Sequence, residues 1–96
     1  MNKYSVGISA YEYDVLGKNR LISMVFDQYL QSAIKNDDEI ALILTLKELQ
    51  NLIGYVAAEA NHARSKRNGE DLNAICDYLE AVEKKINLNR IESFDT

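Results

Sequence analysis

A regular spacing of apolar residues in the middle of the chain is the feature that most limits its fold. Seven of them are spaced alternately four and three positions apart: Leu42, Leu46, Leu49, Ile53, Val56, Ala60 and Ala63. This spacing is that of a coiled-coil seam, which places all of them on one side of a helix. The chain has no proline, the residue that breaks helices most strongly. We therefore predict a long helix from about residue 39 to residue 67.

Two shorter stretches, one on each side of this segment, also have helical periodicity. Their apolar residues recur every three or four positions, as on one face of a helix. The first stretch is 20–35, and the second is 70–88, which follows the typical helix terminator Asn68-Gly69. The predicted fold is all-α, with three main helices (about 20–35, 39–67 and 70–88) in an elongated bundle or hairpin.

The beginning of the chain is harder to interpret. Three apolar residues alternate with polar or small ones, namely Tyr4, Val6 and Ile8. Such alternation is typical of a strand, but no second clear strand offers itself for pairing. Whether residues 3–8 form a strand or an extended arm is left open. Ser9 and Glu12 match a capping box, so we expect a short helix to begin at Ala10.

Length and composition indicate one small acidic domain. The chain has 96 residues, 47% of them hydrophobic, and a net charge of −4. We expect a single domain over 1–96, with a variable segment at 1–18 and a tail at 89–96. An acidic chain repels phosphate backbones, which argues against nucleic acid as a partner. With no apolar stretch of the roughly 20 residues that a membrane span or leader requires, we expect a cytoplasmic protein without membrane contact.

The predicted length of the second helix favours an oligomer. A helix over 39–67 is about 43 Å long, whereas a globule of this chain length is about 32 Å across. The flanking helices are too short to cover the whole seam. We therefore predict a homodimer or higher helical oligomer whose interface is the seam itself: Leu42, Leu46, Leu49, Ile53, Val56, Ala60 and Ala63.

One pair of residues has the spacing of a metal-binding motif. Glu59 and His62 form a Glu-x-x-His pattern, which is half of a ferritin-like di-iron site. The complete site needs two such motifs, and the chain has only one histidine, so only a dimer supplies both. His62 is also predicted to point away from the seam. An exposed helical histidine is therefore the favoured interpretation, and no metal or other cofactor is expected.

Three basic residues close the predicted second helix. Arg64, Lys66 and Arg67 suit the negative end of a helix dipole, which is the simpler explanation for them. The alternative is that they bind a phosphate or nucleic acid together with Lys18 and Arg20, although no helix-turn-helix pattern is present.

No combination of residues indicates catalysis. Cys76 has no histidine near it in the sequence and is expected to be a buried structural thiol. The paired carboxylates read as helix caps or solvated faces, and one histidine cannot complete a Ser-His-Asp triad. We do not expect an enzyme.

Binding of a protein partner is the function that the sequence favours. Tyrosines are enriched in interfaces, and several lie outside the strong apolar stripes. The predicted contact residues are Tyr11, Tyr13, Tyr55, Glu59, His62 and Lys66. The resulting hypothesis is a non-enzymatic helical protein that oligomerises and binds a protein, as an inhibitor, adaptor or immunity-type factor. The alternatives are a nucleic-acid-linked regulator that uses the basic end of the second helix and a dimeric metal-binding protein that uses Glu59 and His62.

Overall fold

Residues 2–95, which the structure describes, fold into a three-stranded antiparallel sheet and five helices. A computed structural model describes residues 2–95, with side chains for residues 2–89. The elements in chain order are β1 (Lys3–Ser9), α1 (Ala10–Lys18), α2 (Arg20–Val25), α3 (Asp27–Gln31), β2 (Ile34–Asn36), β3 (Glu39–Thr45), α4 (Leu46–Asn61) and α5 (Lys66–Asp95).

The prediction of an all-α helical bundle is therefore wrong. The residues predicted as the start of the second helix form β3, the central strand of the sheet. The five consecutive apolar residues from Ile40 to Leu44 lie within the helix that we predicted over 39–67. A short buried strand has the same composition, and its five-residue length suits a strand better than a helix. Once this strand exists, residues 3–8 have a partner, and they form most of β1.

The sheet has the strand order β1-β3-β2. β1 pairs with β3 along its whole length, from Lys3 opposite Thr45 to Ser9 opposite Glu39. β2 pairs with the first residues of β3 through a tight turn in which Asp37 adopts a positive φ of 57°. Aspartate tolerates this left-handed conformation better than most residues. Residues 36–38, which lie between the predicted first and second helices, are therefore part of a hairpin.

A single hydrophobic core lies between one face of the sheet and the helices. The alternation of β1 and β3 directs Val6, Ile8, Leu42 and Leu44 into it. The helices supply the other fully buried side chains, which include Leu16, Ile22, Leu49, Val56, Leu72, Ile75 and Leu79. This arrangement covers one face of the sheet and leaves the other without buried residues.

The three predicted helices differ from the observed ones in their bounds. The predicted helix 20–35 is divided at Phe26, whose backbone leaves the helical conformation (φ −109°, ψ 22°) while its ring enters the core. The last residues of that segment belong to β2 instead. The predicted helix 70–88 is part of the longer α5, which also includes residues expected in the tail.

The boundary between α4 and α5 is set by a cap that we did not recognise. α4 ends at Asn61, and the Ser65 hydroxyl accepts a hydrogen bond from the Asn68 amide at 3.1 Å, as an N-cap residue does. Asn68 and Gly69 therefore lie in the first turn of α5 and do not end α4. A Cβ atom on Gly69 would lie 3.5 Å from the Ala63 Cβ, which is an ordinary contact distance, so α5 begins close to the end of α4 without requiring a glycine at this position.

The predicted seam lies largely inside the chain. Leu42 belongs to β3, and Leu46 is the first residue of α4, so the four-and-three spacing crosses from a strand into a helix. Leu42, Leu49, Val56 and Ala60 are buried in the core of the single chain. These four side chains therefore pack within one copy, and contact between copies through the seam stays a prediction.

Replacing Leu49 with alanine should therefore destabilise the isolated chain. Leu49 is 1% exposed, and truncation of a buried leucine leaves a cavity, so we expect a loss of about 2–5 kcal/mol in the free energy of unfolding. Urea denaturation followed by circular dichroism measures it, with Lys47→Ala on the exposed side of α4 as the control. A Leu49→Ala effect that disappears on dilution would instead place this residue between copies.

Glu48 should make stability depend on pH in the acidic range. Its carboxylate accepts hydrogen bonds from the Thr45 amide at 2.8 Å and from the Tyr29 hydroxyl at 2.6 Å. These bonds, together with the charge of Lys3, lower the pKa of Glu48 below its ordinary value of 4.5. A lowered pKa stabilises the fold above the unfolded-state pKa, and the stabilisation is lost as the pH falls through the folded-state value. Below pH 4.5 the wild type should lose more unfolding free energy than Glu48→Gln does. Parallel losses in chemical denaturation would contradict this assignment.

Candidate binding site at the open edge of the sheet

The outer edge of β1 carries backbone groups that face away from the sheet. The amide of Ala10, opposite Asp38, donates to the Asp38 carbonyl at 3.0 Å and so continues the ladder between β1 and β3. In an antiparallel pair the bonded positions alternate, so the even-numbered residues of β1 bond to β3. The N–H and C=O groups of the odd-numbered residues, which are Lys3, Ser5, Gly7 and Ser9, therefore point to the free edge.

Two contacts close the C-terminal half of this edge. The Ser9 amide donates to a Glu12 carboxylate oxygen at 2.7 Å as part of the capping box of α1. The Gly7 carbonyl accepts a short hydrogen bond from the Tyr78 hydroxyl, which reaches the edge from α5. Within the described residues, no comparable hydrogen bond reaches the amide or carbonyl of Ser5 or the amide of Gly7. The edge is thus open around Ser5.

The side chains that flank the open edge leave space beside it. On the outer face of β1, Ser5 and Ser9 are small and exposed, and Gly7 has no side chain. The Glu39 carboxylate lies over Gly7, since a Cβ built on Gly7 would be 2.7 Å from Glu39 Oε1. The same face continues across the sheet through Ala41 and Ile43 to Ile34, forming an outer apolar strip whose Ile34 is 59% exposed.

Charge is distributed unevenly along β1. Lys3 is exposed at its N-terminal end. A shallow cavity of about 360 Å³ lies at its C-terminal end, and its lining includes three carboxylates, those of Glu12, Asp38 and Glu39. Burial, with the charges of Glu12 and Glu39, raises the pKa of Tyr78 above its ordinary value of 10.0. Its hydroxyl therefore stays protonated near neutral pH and remains a donor to Gly7.

The three tyrosines predicted as contact residues make bonds or packing contacts within the chain. The Tyr11 hydroxyl donates to Asp71 Oδ2 at 2.5 Å, and the Tyr13 hydroxyl donates to the Leu30 carbonyl at 2.7 Å. The ring of Tyr55 packs edge-on against Phe26, with 5.5 Å between ring centroids.

The charged members of the predicted contact set lie near the junction where α4 ends and α5 begins. Glu59 accepts a hydrogen bond from the Asn19 side chain at 3.0 Å, which joins α4 to the junction of α1 and α2. His62 caps the C-terminus of α4, with Nδ1 2.8 Å from the Ala58 carbonyl oxygen. Lys66 opens α5 and is exposed. The role of the predicted set in binding stays a prediction.

The chemical groups considered for metal binding or catalysis are dispersed. Among the described residues, no three or more His, Cys, Asp or Glu side chains are grouped as metal ligands are. Cys76 is buried beside Glu80, and burial together with that carboxylate raises the pKa of its thiol. A thiol held in its protonated form is a poor nucleophile at neutral pH.

Two of the basic residues predicted to end the second helix, Lys66 and Arg67, instead begin α5. Lys66 and Arg67 lie in the first turn of α5, at the positive end of a helix dipole, and not in the last turn of α4. Arg67 lines a cavity of about 480 Å³, whose walls also include Lys18, Arg20, Asp14 and Asp71. Lys18 pairs with Asp14 at 2.9 Å, so part of the positive charge is balanced there.

Comparison with protein-family models, curated proteins and solved structures finds no match to this chain. Helices of the length and apolar character that a bilayer crossing needs are absent from the described residues. Any functional argument therefore depends on the geometry of the chain itself.

The sequence contains part of the signal for the open edge, in the glycine within β1. A glycine inside an alternating strand often marks a close approach by another group, and Gly7 lies where the Glu39 carboxylate approaches it. Ser5 was not predicted as a binding residue because no strand that pairs with residues 3–8 was recognised. Nothing in the local sequence distinguishes Tyr78, whose contact with Gly7 joins residues 71 positions apart.

Amide exchange should show the alternation along β1 directly. In dilute protein, the Tyr4, Val6 and Ile8 amides should exchange slowly because they bond to β3, and the Ser5 and Gly7 amides should exchange fast because they face solvent. NMR hydrogen exchange resolves these positions, and the Leu42 and Leu44 amides provide an internal reference. Slow exchange at Ser5 in the monomer would mean that the edge is covered.

Proposed function

We propose that this chain is a non-enzymatic protein-interaction domain that binds an extended segment of another polypeptide at the open edge of β1. One observation carries the proposal, which is the set of outward-facing backbone groups around Ser5. Native proteins usually shorten, twist or cover such edges because they attract other strands. Here hydrogen bonds from the described residues close a seven-residue strand only near its C-terminal half.

Strand addition is the mode of recognition that fits this geometry. A segment that lies beside β1 would bond to the Ser5 amide and carbonyl and to the Gly7 amide, and main-chain bonds of this kind supply affinity with little dependence on sequence. The absence of large side chains at Ser5 and Gly7 leaves room for alternate side chains of the bound segment. These side chains would extend over the outer face toward Ala41 and Ile43.

Charge adds selectivity to the backbone contacts. The carboxylates of Glu12, Asp38 and Glu39 lie beside the C-terminal end of β1, and Lys3 lies at the other end. A segment with a basic residue near Glu39 and an acidic residue near Lys3 is therefore favoured over one with the opposite polarity. Because β1 begins at Lys3, a segment whose basic residue lies toward its N-terminus would bind antiparallel to β1, and one with the opposite order of charges would bind parallel to it.

A proline at position 5 should remove the binding without unfolding the chain. The Ser5 amide points away from β3, so Ser5→Pro breaks no bond of the ladder, and proline is tolerated in edge strands at such positions. We expect linear peptides selected from a displayed random library on the wild type to bind Ser5→Pro about tenfold more weakly or worse, equivalent to about 1.4 kcal/mol.

The matched control is Ser5→Ala, which keeps the amide and should retain the affinity of the wild type. Thermal unfolding of all three proteins verifies that each is folded. Selection of no peptide, or of peptides that bind Ser5→Pro as tightly as the wild type, would contradict the binding of another polypeptide at this edge.

A further inference from the structure

We infer that the strand which fits this edge is β1 of a second copy of the chain, paired antiparallel about a two-fold axis at Ser5. The inference rests on the proposed function, because it uses the same edge. It moves the interface of the predicted homodimer from the helical seam, which is largely buried within one chain, to the sheet.

The direction of the free backbone groups defines the possible registers. Only the odd-numbered residues of β1 have outward-facing groups, so a bonded pair must join odd positions of both copies. A two-fold axis at Ser5 places Ser5 opposite Ser5 of the second copy and Lys3 opposite Gly7 of the second copy. Each of these opposed pairs exchanges two hydrogen bonds, and the two sheets join into one with six strands.

Charge complementarity selects this register over an axis at Tyr4, whereas an axis at Val6 would place Lys3 opposite Ser9, whose amide already donates to Glu12. Lys3 and Gly7 lie on the outer face of the sheet, and the Glu39 carboxylate lies directly over Gly7. Because Gly7 has no side chain, the ammonium group of an opposite Lys3 can reach that carboxylate. The symmetry produces this contact twice. An axis at Tyr4 would place Lys3 opposite Ser5 instead, with fewer bonded pairs and with Lys3 farther from Glu39.

The side chains at the contact also permit close approach. Ser5 meets its own copy across the axis, and Gly7 presents only backbone to Lys3. The outer apolar strips of both copies, formed by Ala41, Ile43 and Ile34, then lie on the same face of the joined sheet. An isologous contact of this type closes after two copies and does not extend into a fibre.

Tyr78 competes with the second copy for one acceptor. Its hydroxyl donates to the Gly7 carbonyl, which is the group that the Lys3 amide of the second copy would reach. Tyr78 is 39% exposed, so its side chain has space to turn away from the edge. Removal of the hydroxyl should therefore strengthen the pairing.

Sedimentation equilibrium of the full chain over a range of concentrations tests the inference. We expect the wild type to form a reversible dimer. Lys3→Glu and Glu39→Lys should each weaken dimerisation by about tenfold, and the double variant should restore it. Ser5→Pro should abolish the dimer. Tyr78→Phe should strengthen the dimer. The control is Lys47→Glu, which makes the same change of charge on the exposed side of α4 and should leave the dimer unchanged. Thermal unfolding of each variant verifies its fold.

Three results would overturn the inference. They are a monomer at every concentration, a dimer that tolerates Ser5→Pro, and a double variant that remains as weak as the single ones. With any of these results, the proposed function remains supported if the selected peptides still bind the wild type and do not bind Ser5→Pro. Conversely, a dimer with the expected behaviour together with failure to select any peptide would restrict the edge to self-association.

Discussion

The pairing of β1 with β3 is the interaction on which the rest of the structure depends. It joins the first residues of the chain to residues about 40 positions later, across the segment that contains α1, α2 and α3. The same pairing turns Val6, Ile8, Leu42 and Leu44 toward the helices and so forms the floor of the core. It also determines which backbone groups of β1 remain unpaired. The core and the candidate site are thus two results of one register.

Local signals in the sequence predicted part of this fold correctly. The capping box of Ser9 and Glu12 forms, and α1 begins at Ala10 as expected. Helical periodicity placed helices over most of α4 and α5. These features depend on contacts between residues close in sequence, and such contacts can be recognised from one sequence alone.

The features that the sequence did not reveal depend on distant contacts. An apolar run such as Ile40 to Leu44 is compatible with a buried helix or a buried strand, and only its pairing with β1 decides between them. Leu42 and Leu46 have coiled-coil spacing by coincidence, because one ends up in a strand and the other in a helix. The candidate site was missed for the same reason, since an open edge exists only when the sheet exists. The tyrosines that stood out in the sequence are largely occupied with intrachain contacts.

The contact between Tyr78 and Gly7 has a consequence for the movement of the molecule. Tyr78 lies near the middle of α5, a helix that spans Lys66–Asp95, and its hydroxyl ties that helix to the edge of the sheet. A strand that displaces the hydroxyl from Gly7 also releases this tie. Occupation of the edge and the seating of α5 are therefore linked thermodynamically, and each must influence the other to the same extent. Through this linkage, the seating of α5, whose Tyr78 a bound strand would displace, would depend on whether the edge is filled.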